Sequence, residues 1–493
     1  MPPVDRIADL HCHPSFKSLL NEGRGKVPGR SAWDDMKLPI DVKALDILRS
    51  QSNLRQLHSG NVNLVVCGLY GLERAFARSE LFDLLFRISK PLDGPFFRAI
   101  RKGRHGYRDL MQMDLDALNA HPHDPNDGTR MVRVLGSYAD YQPNSPDVQV
   151  ILSAEGGHNF YGHQNGADDT SWPVIRNNLD HFKQPGNARL LYITVTHLAK
   201  NALSNHCYGI KTIRDQDFFP NGHGLTPLGL AFIQEALDRS GGRRRILIDV
   251  KHMSLQSRID FYRYRREHHA TDPFPIICSH AGVAGISYTQ IFRYVDGWYK
   301  PVLQDHINVR YIKPRWIEGT EFNPWSINLY NDDIAEIMAS GGLIGISLDE
   351  RILGFGKVAM ERMSPHEAFK PSRYQMTIRD DRDVDERVEI TAEATLKQFC
   401  ANLLHMIRMG GAVPGVADPW DHVCIGSDFD GLIDTVNGAT SADTLAWLRD
   451  QLSTTLPLMA AKAGIPMPSA DLPSRIHRLF SGNLVRFLQQ HFA

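Results

Sequence analysis

Arg6-Ile7-Ala8-Asp9-Leu10-His11-Cys12-His13 is a short apolar run that ends in two histidines one residue apart. In an extended strand alternate side chains share a face, so Asp9, His11 and His13 project together and the two imidazoles form a chelating pair. Further short apolar runs end in Glu155-Gly156-Gly157, Thr196-His197, Asp249-Val250-Lys251-His252, Cys278-Ser279-His280 and Gly426-Ser427-Asp428-Phe429-Asp430-Gly431. Polar, metal-competent residues at the C-terminal ends of many strands are the pattern of a (β/α)8 barrel, whose active site occupies that face.

Working outward, eight segments read as buried parallel strands: 6–13, 61–70, 148–156, 189–197, 245–252, 274–280, 342–348 and 422–428. Each is short, rich in apolar or β-branched residues and bounded by Gly, Pro or polar loops. Helix-period stretches lie between them at 42–57, 112–120, 225–239, 332–339 and 392–409, and 472–492 reads as a closing amphipathic helix. The alternation predicts an α/β fold, a TIM barrel with long βα-loop insertions, forming a single domain over residues 1–493. An open doubly wound sheet would place its ligand site at one or two strand ends, whereas here six strands end in polar candidates. Long intervals follow the first, second, sixth and seventh strands. The stretch 284–330, with Trp298, Tyr299, Arg310, Tyr311, Arg315 and Trp316, reads either as a substrate lid or as an insertion packed by its own aromatics.

The bulk composition narrows the partners. A formal net charge of −1, with Arg243-Arg244-Arg245 the longest basic tract, argues against nucleic acid or a polybasic membrane anchor and favours a small-molecule partner, uncharged on average. A homo-oligomer is compatible with it. Six cysteines are scattered without a CxxC, so neither a disulfide framework nor a cysteine zinc site is expected. With no secretory signal and no apolar stretch long enough to span a bilayer, a cytoplasmic protein is expected.

Neutral imidazoles and carboxylates at strand ends suit zinc or a similar first-row ion. Glu155 can bridge two cations through its two oxygens, and Gly156 and Gly157 let the backbone turn sharply and leave it unshielded. His252 and His280 can then supply a second ion. Asp9 is expected to orient an imidazole from behind. His197 can polarise a substrate carbonyl or be a satisfied structural histidine. Asp428 is placed to take a proton from attacking water and pass it on, with Asp430 the alternative. Lys251, adjacent to His252 in an assumed strand, is expected on the opposite face. His121, His123, His268 and His269 read as solvated loop positions.

With these residues in place, the chain resembles the membrane (renal) dipeptidase family, dinuclear zinc metallopeptidases of the amidohydrolase superfamily. The blocks that carry the resemblance are Glu155-Gly-Gly-His158, Thr194-Val-Thr-His197, Gly224-Leu-Thr-Pro-Leu-Gly229, Ile248-Asp-Val-Lys-His252, Ile277-Cys-Ser-His280, Gly426-Ser-Asp-Phe-Asp-Gly431 and Gly482-Asn-Leu-Val-Arg486, in the family's order. The resemblance implies two divalent ions, most simply zinc. His11, His13 and Glu155 would hold one, and Glu155, His252 and His280 the other. It implies His197 at the substrate, Asp428 as proton shuttle, and hydrolysis of dipeptides by a bridging water made acidic by two cations. Three departures bear on it. His13 stands where the family has aspartate. Ile327-Asn328 replaces an Arg-Asn pair whose arginine holds the substrate carboxylate. The preceding insertion is long, so Arg310 or Arg315 could supply the missing charge. A related amidohydrolase acting on N-acyl amino acids or lactones is the second reading, and a non-catalytic metabolite-binding barrel the third.

Overall fold

The computed structural model describes residues 6–20, 31–36, 47–79, 94–210, 215–299, 305–356, 359–367 and 390–493. Its core is a sheet in which eight strands follow one another in chain order. They are β1 (Ile7–Cys12), β2 (Val62–Leu69), β3 (Val148–Ala154), β4 (Leu190–Thr194), β5 (Leu247–Asp249), β6 (Ile277–Ala281), β7 (Leu343–Ile346) and β8 (Val423–Ile425). Every neighbouring pair is parallel. The ring closes through a parallel bridge between Cys12 and Phe429 and through hydrogen bonds from Asp428 N to His11 O and from His13 N to Phe429 O, both 2.9 Å. The fold is the expected α/β TIM barrel.

The strands are buried on both faces, as parallel strands covered by helices must be. Val62, Leu64, Val65, Ile151, Leu152, Ile193, Ile248 and Ile344 all lie within one continuous core. The surrounding helices start where their caps dictate. Thr226 accepts from Gly229 N at 3.0 Å ahead of Pro227–Leu237, and Thr391 accepts from Ala394 N at 3.1 Å ahead of Ala392–Gly410. The expected helices at 112–120 and 332–339 appear as Tyr107–Asn119 and Asn331–Ala339. The closing segment is Leu472–His477 and Asn483–His491, joined through a π-turn.

One helix departs from expectation. Of 42–57, residues 42–46 lie outside the described residues, and the helix that forms is Leu54–Ser59, started by the capping box of Asn53 and Gln56. The residues before it are claimed by tertiary partners: Asp430 accepts from Gln51 N at 2.8 Å and from Ser52 N at 2.7 Å. Backbone donors satisfied from another loop do not need a helix.

The insertion after β6 is built rather than loose. Val295–Tyr299 and Ile307–Tyr311 pair antiparallel, and Ala359–Met363, from the insertion after β7, adds a third strand. Its own small core contains Val309, Tyr311, Tyr330, Ala359 and Met363. All six cysteines are buried free thiols. No helix among the described residues is long and apolar enough to cross a membrane.

Candidate metal centre

At the C-terminal mouth of the barrel the strand ends bring His11, His13, Glu155, His252 and His280 together. Among the described residues, His11–His13–Glu155 and Glu155–His252–His280 each place one donor atom per residue within 4.8 Å of the others, and His11–His280–Asp428 forms a third such group. Glu155 is the shared member. Its Oε1 lies 3.4 Å from His11 Nε2 and 3.1 Å from His252 Nε2, and its Oε2 lies 3.1 Å from His13 Nε2. Asp428 faces the same space, Oδ1 3.7 Å from His13 Nε2 and Oδ2 3.6 Å from His280 Nε2.

The imidazoles are aimed from behind. His11 Nδ1 meets the Tyr192 hydroxyl at 2.8 Å, His13 Nδ1 meets Gly68 O at 2.7 Å, and His280 Nδ1 meets Ser279 Oγ at 2.8 Å. Engaging the rear nitrogen turns each Nε2 inward, and such partners both fix the ring and raise its basicity as a ligand. The Nε2 atoms of His11 and His13 are buried without a hydrogen-bond partner. Orphaned inward-facing imidazole nitrogens around a shared carboxylate fit a divalent ion, and the nitrogen and oxygen donor set suits zinc-like metals.

Electrostatics follow from burial and proximity. Burial pulls His11 down to about 4 against the pull of Glu155, and burial likewise brings His252 to about 3. Burial also opposes charging His13, but the adjacent Glu155 carboxylate holds it up at about 9. Burial would raise Glu155, yet His197, His11 and His13 keep it well below the usual carboxylate range. Burial, reinforced by Glu155, pushes Asp428 well above that range.

The turns that present these groups are unusual backbone. Gly156 has φ +97°, and a Cβ there would sit 2.3 Å from the His158 ring, so this sharp turn after β3 requires glycine as expected. His252 and Asp428 adopt φ +65° and +64°, a left-handed conformation uncommon outside glycine and concentrated at functional sites. The turn at His252 also overturns the placement of Lys251 on the far face. Strand alternation ends at Asp249, and Lys251 and His252 both line the cavity.

Three further expectations resolve. Asp9 orients no imidazole; its Oδ1 accepts from His11 N at 3.1 Å and Ser427 N at 2.9 Å, tying β1 to β8. Asp430 is excluded from the cavity, because it receives Lys17 Nζ at 2.8 Å along with the Gln51 and Ser52 backbone. Neither insertion arginine reaches the centre: Arg310 pairs with Asp296 at 2.6 Å, and Arg315 pairs with Glu321 at 2.8 Å on the surface. Ile327 does line the cavity, beside Trp325.

His197 lies against the centre, Nε2 3.6 Å from Glu155 Oε2 and Nδ1 2.9 Å from Glu73 Oε1. The Tyr70 hydroxyl donates to the same Glu73 carboxylate. Burial opposes charge on both partners, but each stabilises the other, raising His197 and lowering Glu73 to about 2. Glu73, Tyr192 and Gly68 carried no signal in the sequence. A lone glutamate after β2, a mid-strand tyrosine and a strand glycine become meaningful only beside the imidazoles they meet.

Comparison with known proteins bears on the whole architecture. No family model and no curated protein sequence matches the chain. Solved structures do. The dipeptidase AC, a metallopeptidase of family M19, matches at 14 % identity and TM-score 0.50, covering 99 % of this chain and 98 % of its own. A Rhodobacter sphaeroides metallopeptidase bound to a phosphinate mimic of L-Ala-D-Ala matches at 13 % identity and TM-score 0.52, covering 99 % of each chain. The probable dipeptidase PvdM from Pseudomonas aeruginosa matches at 14 % identity and TM-score 0.50, covering 89 % of this chain and 88 % of its own. At such identities the likeness is one of fold: over 99 % of its length this chain shares the architecture of a dipeptidase of family M19 and of a second metallopeptidase.

Proposed function

We propose that the protein is a dinuclear metal-dependent hydrolase that cleaves the amide bond of a dipeptide or a small dipeptide-like compound. The observation that carries this reading is the pair of three-donor clusters sharing Glu155 at the barrel mouth. His11, His13 and Glu155 would hold one ion, and Glu155, His252 and His280 the other; zinc suits the donor set. Divalent ions held by those residues would supply an acidified water and polarise a carbonyl.

The chain's own residues supply the rest. Asp428, whose oxygens face His13 and His280, takes a proton from the attacking water and delivers it to the leaving amine. His197, held at Nδ1 by Glu73, presents Nε2 to the carbonyl oxygen and stabilises its developing negative charge. The insertion at 284–330 contributes Trp325 and Ile327 to the cavity wall, which supports its role as a cover that limits water. The fold likeness to a metallopeptidase crystallised with a dipeptide mimic agrees with this substrate class. Six buried thiols agree with a reducing, cytoplasmic setting.

Metal analysis of the purified protein and hydrolysis of a dipeptide panel test the proposal. Two ions per chain are expected, with activity abolished in Glu155→Ala and Asp428→Ala. A metal-free protein, or undiminished activity in either variant, would overturn it. Ile327 in the cavity wall favours one second reading, an amidohydrolase of N-acyl amino acids or lactones. Turnover of those compounds without turnover of dipeptides would select it.

A further inference from the structure

The cavity over the metal centre spans about 490 Å³, within the roughly 300–1,000 Å³ of small-molecule sites, and its lining is divided by polarity. On one side stand the centre, Lys251 and the pair of Asp349 and Arg351, whose Oδ1 and Nε lie 3.0 Å apart. The other side is an apolar wall of Leu198, Ile210, Trp325, Ile327, Ile352 and Leu432. Four different loops supply it, those after β4, β6, β7 and β8. Leu198, Trp325, Ile327 and Ile352 belong to one hydrophobic cluster, with Ile210 and Leu432 packed against it. The loops meet closely: a Cβ at Gly209 would lie 2.2 Å from Leu198 Cδ2 and 3.4 Å from Ile327 Cδ1.

The wall is fixed in shape. Glu361, buried in the strand Ala359–Met363, accepts from Ser326 N at 3.0 Å and from Ser326 Oγ at 2.6 Å, between the two cavity residues Trp325 and Ile327. Asn328 donates through Nδ2 to Asn323 O and to Ile352 O, both at 2.9 Å, which ties this segment to the loop after β7. A wall anchored from both insertions is pre-formed, so covering it with an apolar group costs little ordering. It faces the same cavity as Glu155, His197 and Asp428, so whatever covers it lies beside the reacting bond.

We propose that this wall is a subsite for an apolar substituent, branched aliphatic or aromatic, carried by the substrate next to the scissile amide. This rests on the hydrolase reading and narrows it: amides bearing a leucine-like or phenylalanine-like group are preferred over polar ones of the same size. A polar side chain of equal size would lose its water against mainly hydrocarbon surface.

Two series of dipeptides test it, one with the variable residue first and glycine second, the other reversed. The variable residue is leucine, its near-isostere asparagine, or phenylalanine, in L and D form. In one series kcat/KM for leucine should exceed that for asparagine by roughly 10- to 100-fold, the scale of burying one aliphatic side chain. Ile327→Thr and Ile210→Ser should each lower that ratio by about tenfold. Ile327→Ala opens space and should move the optimum from leucine towards phenylalanine, whereas a merely structural role would change all three substrates alike. Ile210 is only partly buried, so Ile210→Ser decides if the Ile327 variants fail to fold.

A binding arm separates this subsite from catalysis. Ligand-observed NMR titration of the purified protein with N-acetylleucinamide and with N-acetylasparaginamide should show preference for the former, reduced in Ile210→Ser and Ile327→Thr. If no amide is hydrolysed but that preference holds, the subsite stands and the hydrolase reading falls. If dipeptides are cleaved with equal kcat/KM for leucine and asparagine in both series, the subsite falls and the hydrolase reading stands. A leucine preference that neither wall variant alters overturns the subsite equally, and neither cleavage nor preference overturns both.

Discussion

Gly68 shows how tightly the centre is drawn at the residue scale. A Cβ built there would lie 2.8 Å from Cε1 of both His11 and His13, and the Gly68 carbonyl receives His13 Nδ1. Gly68→Ala would force both rings aside. The expected outcome is a folded barrel with metal content below half of wild type, read by elemental analysis; full metal loading would refute the packing argument. Glu73 acts one step further from the substrate, through His197. Glu73→Gln should leave metal content intact and lower kcat by about 10- to 100-fold, as loss of an orienting partner does. An unchanged kcat would make Glu73 purely structural. Neither residue could be singled out beforehand. His11, His13, Glu155, His252, His280 and Asp428 were legible because metal-competent side chains ended strands, whereas a glycine is informative only through what it touches.

Elements transmit two other constraints. Lys17, in the short helix Phe16–Leu20, and Asp430, in the turn after β8, form a buried pair that helps lock the closing seam of the barrel. Asp430→Ala leaves buried Lys17 without its counter-charge, with only the Arg49 carbonyl as partner, and should cost about 3–5 kcal/mol in denaturant unfolding. A loss under about 1 kcal/mol would mean that water reaches Lys17. His405, within helix Ala392–Gly410, gives a pH signature. Burial lowers its folded value to about 3 from an ordinary 6.5, with Asn331 accepting at 2.7 Å and the rings of Phe322 and Trp316 packed alongside. A folded value below the unfolded one means that this contribution is full above about pH 6.5 and is lost as pH falls toward 3. Stability measured across that window in His405→Gln should fall less steeply, by up to about 1.4 kcal/mol per pH unit. Equal slopes would place the ring in water. Periodicity alone made the helix expected at 392–409 readable in advance, and it forms as Ala392–Gly410. Within the helix expected at 42–57, residues 49–53 form none, and the Gln51 and Ser52 backbone donors go instead to Asp430, almost four hundred residues away in the chain.

For the whole molecule, the residues proposed to hold metal sit at the ends of β1, β3, β5 and β6, so metal binding should couple to the stability of the barrel. Removing the ions with a chelator should lower the melting temperature, since a ligand bound only by the native state stabilises it by mass action. Glu155→Ala, which disrupts both clusters, should melt near the chelated wild type and show no further response to chelator. A melting temperature indifferent to chelation would separate the centre from the fold.

The sequence by itself determined the barrel and pointed to the residues that gather at its mouth. Strand hydrophobicity, turn residues and the chemistry of strand-end side chains are local properties, and the barrel's one active face turns local position into shared location. Tertiary structure alone decided the rest. Lys251 lines the cavity because strand geometry ends at Asp249 and His252 turns left-handed, and Asp9 seals a seam instead of aiming an imidazole. Those outcomes depend on a left-handed backbone turn and on contacts between distant loops, and neither is encoded in the spacing of residues along one strand.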